Sequence, residues 1–371
     1  MAPYARRAIM IPKRRWKRQP EKLRREVSPE RHSEGQVLSI KAWPSQFFKR
    51  RKLVDDGNLV DFAKEFAVGE VFETFVKESG EAASPSEVKL TEYCKGMTLE
   101  WLTLGRFPSN HRRLAWLDDR CKSSGSSGGN ARRYENPLTA TALMRALSEK
   151  RFGHEELTDA ARRLIYISDL DPSCIYALAA TGPPPPHTQV LRDAVYKHLS
   201  GQTSIAVKIP STGFLAFQLV LHIRCLLLRN SKPPQNPAPE LNTKPRREWT
   251  DLPFLQPDGN ERQNDSELAW GLQEAQISVV IAGVDDRHWV AYGFVDGEID
   301  GSPADLCDAD GEDGQNFDPI ASDVAEVEAS VPIWAPRDYW LRVFEIRLGK
   351  VREEWEQLVL GLEEGCTKCV C

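Results

Sequence analysis

Between residues 164 and 295 the chain alternates apolar runs of strand length with stretches of helical spacing. Residues 164–168 form a β-rich apolar run and predict a strand. Asp171 and Pro172 then supply an N-cap followed by proline at the first helical position, which predicts a helix through Ala180. Four prolines at 183–186 predict an extended spacer, after which Thr188 is expected to cap a helix with apolar face Val190, Leu191, Ala194, Val195 and Leu199, closed by Gly201. Ile205, Val207 and Ile209 alternate, residues 210–213 turn, and Phe217, Leu219, Leu221 and Ile223 alternate on the return. A second hairpin is expected from 277–282 and 289–295, with its turn at Asp285 and Asp286. After Pro336, Phe344, Leu348, Val351, Trp355, Leu358 and Leu362 keep 4, 3, 4, 3, 4 spacing, the seam of a heptad helix over about two and a half repeats. That seam must pack on the chain's own sheet or on other copies; Gly349 weakens the helix, and Gly361 and Gly365 are expected to end it.

Outside this region the pattern is weaker. Residues 35–160 show helical patches at 59–66 and 139–147, a strand-like stretch at 87–93 and a flexible Ser/Gly run at 123–129. Residues 229–265 are polar and proline-rich and 296–330 acidic, and both read as surface insertions. The expected fold is α/β, or mixed α+β: a mixed sheet with helices packed on it, ending in a long amphipathic C-terminal helix.

Composition narrows the class. With 41% hydrophobic and 28% charged residues over 371 positions, a sizeable core is available. The most apolar stretch, 214–228, is interrupted by Gln218, His222 and Arg224 and falls short of the roughly 20 residues that cross a bilayer. No apolar run follows the charged start, so no secretory signal is expected and the protein is expected to be cytoplasmic. Eight cysteines are too sparse for a disulfide scaffold. Residues 1–52 hold 16 Lys/Arg against 4 Glu, a net of +12 within a total of -5, so the remainder carries -17. Residues 1–34 read as a disordered basic arm, 35–365 as one α/β domain and 366–371 as a cysteine-rich tail.

Four ordered blocks, residues 162–182, 191–223, 274–296 and 335–355, together resemble the soluble N-terminal region of fungal CorA-like magnesium transporter proteins. The resemblance runs from about Arg162 to Glu364 and rests on blocks of sequence, without a catalytic motif. In that family a cytosolic α/β domain leads into a stalk helix, two membrane helices and a Gly-Met-Asn signature at a pentameric pore. Here the membrane helices are missing and the Gly96-Met97 pair is followed by Thr98, so the resemblance implies a soluble domain that builds no pore by itself. It further implies a cation-responsive or assembly module, or a truncated gene product, with copies of itself or a full-length relative as partners through the C-terminal helix.

Candidate sites are few. The acids Asp305, Asp308, Asp310, Glu312 and Asp313, with Asp318, are the hard oxygen ligands that Mg²⁺ and Ca²⁺ prefer, but counting from Asp308 the sixth position is Asp313 and the twelfth Pro319, which breaks the EF-hand rule. Weak cation attraction or a solvated loop both fit. Asp285, Asp286 and His288 offer metal or proton-transfer chemistry, and equally a turn. Asp169 and Asp171 end a strand where α/β sheets bind ligands, although Asp171 also suits a helix cap. The arm's Lys13, Arg14, Arg15, Lys17, Arg18, Lys22, Arg24 and Arg25 around Trp16 suit nucleic acid, an anionic membrane or an import receptor; a solubilising arm fits as well. Cys366, Cys369 and Cys371 could hold Zn²⁺ or Cu(I), or be a frayed tail. No nucleophile elbow, phosphate loop, dinucleotide fingerprint or zinc-protease motif is present and the seven histidines are scattered, so no enzyme is expected.

Overall fold

The computed structural model describes residues 70–77, 82–123, 126–182, 187–209, 217–233, 247–255, 268–300, 318–321 and 331–370. The described elements belong to one compact unit, Pro44–Cys371. The basic arm, the 59–66 patch and the acids from Asp305 to Asp313 lie outside the described residues.

Three short helices come first: α1 (Glu70–Val76), α2 (Pro85–Tyr93) and α3 (Leu99–Leu104). The alternation at 87–93 predicted a strand and α2 corrects it. Ser84 accepts a hydrogen bond from the Glu87 backbone N–H and Pro85 occupies the first turn, so a local helix start overrides two alternating apolar residues. Ser86, Leu90 and Tyr93, at helical spacing, are the buried positions.

Strands β1 (Ala115–Ser123) and β2 (Ser126–Ala131) form a hairpin where a flexible Ser/Gly run was expected. Here small residues serve a close approach. Gly129 has φ +67° and an added Cβ would lie 2.6 Å from the Trp334 ring. Helix α4 (Ala140–Ser148) starts at the Thr139 cap, inside the expected patch. Strand β3 (Arg162–Ser168) is followed by α5 (Pro172–Ala180), capped by Asp171 as expected. Helix α6 (His187–Leu199) begins one residue before Thr188, and Gly201, at φ +62°, follows its end.

The sheet is completed by β4 (Ser204–Lys208), β5 (Phe217–Ser231), β6 (Trp249–Asp251), β7 (Ala269–Gly283) and β8 (Trp289–Val295). Its order is β2-β1-β3-β8-β7-β5-β4, with β6 also on β7, and only β3 and β8 run parallel. Two boundaries differ from expectation. Alternation continues through Cys225 and Leu227, so β5 outlasts Ile223 by eight residues, and the proline-rich insertion contributes β6. One face packs on α1–α6 through a core that includes Ile165, Ile167, Val220, Val280, Tyr292 and Phe294.

The opposite face meets the turn 318–321 and, after the one-turn α7 (Gly297–Asp300), the final helix α8 (Pro336–Val370). Gly361 and Gly365 do not end α8. An added Cβ at Gly361 would press on Leu228 and one at Gly365 on Leu255 and Phe254, so these glycines let the helix approach the sheet. The docked side of α8 also carries Tyr339, Val343 and Arg347, all buried, with Lys350 and Glu354. The heptad seam borders that side: Phe344, Val351, Leu358 and Leu362 are half-buried, while Leu348 is 38% and Trp355 55% exposed.

Candidate functional site

Beneath α6, four elements converge on a buried polar cluster. His198 lies on the apolar face of α6, His222 and Ser278 sit opposite each other on β5 and β7, and Asp296 follows β8. All four are at most 2% exposed. Ser278 Oγ lies 3.0 Å from His198 Nδ1 and 2.8 Å from His222 Nδ1. Asp296 accepts from Arg247 Nε at 2.6 Å and Nη2 at 3.2 Å and from the Gln276 backbone N–H at 2.7 Å. His198 Nε2 stands 3.4 Å from Asp296 Oδ1, too far for a well-formed hydrogen bond but close enough to feel the charge.

A self-consistent proton order has His198 Nε2–H facing Asp296, Ser278 O–H donating to His198 Nδ1, and His222 Nδ1–H donating to Ser278. Burial alone would raise the Asp296 carboxyl, yet His198 and Arg247 hold it at about 2. Burial depresses His222 to about 3, helped by the positive charge of Lys197 and His198. Burial also lowers His198, against the pull of Asp296. The acid, base and hydroxyl are in the order of a hydrolytic triad. They are sealed inside the helix–sheet interface, so no substrate atom reaches Ser278 in this conformation; the cluster ties α6, β5, β7 and Arg247 together.

The carboxyl ends of β3 and β8 hold the other expected pair. Asp169, at φ 50°, accepts from the Gly297 N–H at 2.8 Å and faces Arg112 at 3.4 Å. Asp171 caps α5 through the Cys174 N–H at 2.8 Å and accepts from Ser173 and Ser109. Both carboxylates are thus committed to holding the chain at this end of the sheet.

On the α8 face a chain of buried ion pairs runs beside apolar residues such as Leu221, Val279, Ile281 and Val343. Arg162, 1% exposed, reaches Asp118 at 2.7 Å and Asp318 at 3.1 Å, with Trp289 and Tyr339 about its guanidinium. Asp318 also accepts from Tyr339 and from the Ile320 and Ala321 N–H groups, so it belongs to this network and not to a solvated acidic loop. Arg347 binds Asp300 with both 2.7 Å contacts from Nη1 and donates to the Ile320 and Pro319 carbonyls. Across β1 and β3, Arg163 pairs with Asp119 at 2.7 Å.

Asp285 resolves as a turn residue, accepting from the Arg287 and His288 N–H groups and from His288 Nδ1 at 3.0 Å. Cys366 is exposed, and the side chains of Cys369 and Cys371 lie outside the described residues. Among the described residues no three His, Cys, Asp or Glu side chains are grouped to hold a metal ion, and no helix is long and apolar enough to cross a membrane. A shallow apolar groove between α1, α3 and α5, lined by Phe72, Met97, Leu99 and Tyr176, carries no charged group.

Sequence reasoning missed the His198–Ser278–His222–Asp296 cluster because its members are up to 98 positions apart. Its one local signal was polar residues on inward positions of otherwise apolar runs, His222 in β5 and Ser278 in β7. On α8, Leu348 and Trp355 of the heptad seam, with Leu341 and Val359 beside it, are between 38% and 55% exposed. Comparison with protein-family models, with curated proteins and with solved structures finds no match to this chain.

Proposed function

We propose that this chain is a non-catalytic assembly module, similar to the cytosolic part of a CorA-like divalent cation transporter and unable to form a pore by itself. The observation that carries the reading is the two-sidedness of α8. Gly361, Gly365, Arg347, Lys350 and Glu354 are used against the sheet, while Leu348 and Trp355 of the heptad seam, with Leu341 beside them, stay exposed. An apolar stripe at seven-residue spacing is a feature that helix–helix association uses and that isolated surface residues lack. Against catalysis stands the commitment of the buried acids and bases to internal partners, above all the sealed His198–Ser278 pair.

The test is a double substitution, Leu348→Glu with Trp355→Glu, read by light scattering and a thermal melt. Loss of association with the melting temperature kept supports the reading, because charge is forced into a seam that only a partner desolvates. A sharp fall in melting temperature with no change of mass overturns it.

A further inference from the structure

We propose that the outer edge of β4 is a docking site for an extended strand of a partner protein, one in which acidic residues flank alternating apolar ones. The site lies at the opposite end of the sheet from β2 and depends neither on α8 nor on the assembly reading. Its geometry follows from the parity of the ladders. In an antiparallel sheet, successive residues turn their backbone groups to opposite neighbours. The Asp296 N–H donates to the Gln276 carbonyl, so even-numbered residues of β7 bond toward β8 and odd-numbered ones toward β5. Carried through the registers of β7 with β5 and β5 with β4, the same alternation uses Ser204, Ala206 and Lys208 on β5. It turns the N–H and C=O groups of Ile205 and Val207 outward. Among the described residues no strand pairs with that edge.

Sheets usually blunt such an edge with proline, a bulge or charge. Strand β4 holds no proline, keeps an unbroken register and has one charged residue, Lys208. Ile205 and Val207, paired with the buried Leu221 and Leu219 on the face away from the helical core, are 54% and 55% exposed. On the other face stand the exposed Lys208 and Ser204, whose Oγ lies 3.4 Å from Lys197 Nζ near the end of α6. An added strand therefore places apolar residues across from Ile205 and Val207 and a small one across from Ala206. Acids across from Ser204 and Lys208 then each lie beside an ammonium. Charge also decides against a second copy of β4. Centred on Ala206, an antiparallel copy would bring its Lys208 opposite Ser204 and so beside Lys197, twice over, and β4 has no acid to offset this.

The experiment titrates the full chain into a fluorescein-labelled peptide with the core Glu-Val-Thr-Val-Glu, which presents the same pattern to β4 in either direction, and reads anisotropy. Saturable binding is expected. A peptide with the core Lys-Val-Thr-Val-Lys should bind roughly tenfold more weakly or worse. Val207→Pro removes an N–H that makes no bond within the sheet, so it should abolish binding and leave the melt unchanged. Lys208→Glu, at an exposed position, should weaken binding of the acidic peptide roughly tenfold or more, and it carries the test if the proline variant melts lower. Leu348→Glu should bind as the native chain does, which separates this site from α8. No saturable binding of the acidic peptide, equal binding of the lysine peptide, or binding indifferent to both β4 variants overturns the proposal. So does a native chain that ignores the peptide but self-associates in sedimentation velocity until Val207→Pro prevents it, because the edge then belongs to a second copy.

Discussion

Acid should weaken this fold through His222. The side chain is 1% exposed, and burial, with the cationic charge of Lys197 and His198, depresses its pKa from 6.5 to about 3. Because the folded value is the lower one, the unfolded chain binds the extra proton. The stability that the neutral ring confers is therefore complete above about pH 6.5 and drains away as the pH falls toward about 3. At 1.36 kcal/mol per unit, the loss at about pH 5 is about 2 kcal/mol. That figure depends little on the folded value, since at about pH 5 the buried imidazole is neutral for any pKa near 3. His198, lowered chiefly by burial, acts with the same sign. Urea denaturation followed by tryptophan fluorescence, at several pH values from about 7.5 to about 5, measures the slope. The comparison is His222→Asn, whose amide N–H can take the place of Nδ1–H toward Ser278. The native chain should lose about 2 kcal/mol more than the variant over that range. Parallel slopes for the two proteins would refute the reasoning.

The α8 face supplies further expectations. Asp318→Ala removes one of the two buried carboxylates on Arg162, which keeps Asp118, and the acceptor of the Tyr339 hydroxyl, and should destabilise by about 1 to 3 kcal/mol, seen as a lower denaturation midpoint. Gly361→Leu drives a side chain into Leu228 and should lower the melting point by an amount equivalent to about 1 to 3 kcal/mol. Gly349→Ala, whose added methyl meets nothing within 4 Å, should instead stabilise by up to about 1 kcal/mol in the same melt.

The legible parts of the fold were those governed by neighbours in sequence. Asp171-Pro172 announces α5, and the hairpin of β7 and β8 announces itself by alternation on both sides of an Asp-containing turn. The same local logic misread α2, where the Ser84 cap outweighs an alternating stretch. It also misread Gly361 and Gly365, which look like helix breakers until Leu228 and Leu255 arrive from other elements. The parallel pairing of β3 with β8, and the four buried polar residues beneath α6, are contacts between remote positions that no local period encodes. Asp318 shows the same limit from the other side, since an acid in an acidic stretch becomes a buried ligand of Arg162 only once α8 covers it.

How firmly α8 can hold a partner follows from what its seam leaves in water. Full burial of one such side chain is worth about 1.5 to 3 kcal/mol, and Leu341, Leu348, Trp355 and Val359 retain 43%, 38%, 55% and 50% of their exposure. What they have left to gain is therefore about 3 to 6 kcal/mol per copy, or about 6 to 11 kcal/mol for two. Association itself costs about 4 to 15 kcal/mol in lost freedom of motion. These exposed side chains alone would thus leave two copies near balance. The proposed association through this stripe should therefore be reversible on dilution, read as a mass that rises with concentration in sedimentation velocity; a mass independent of concentration would refute it.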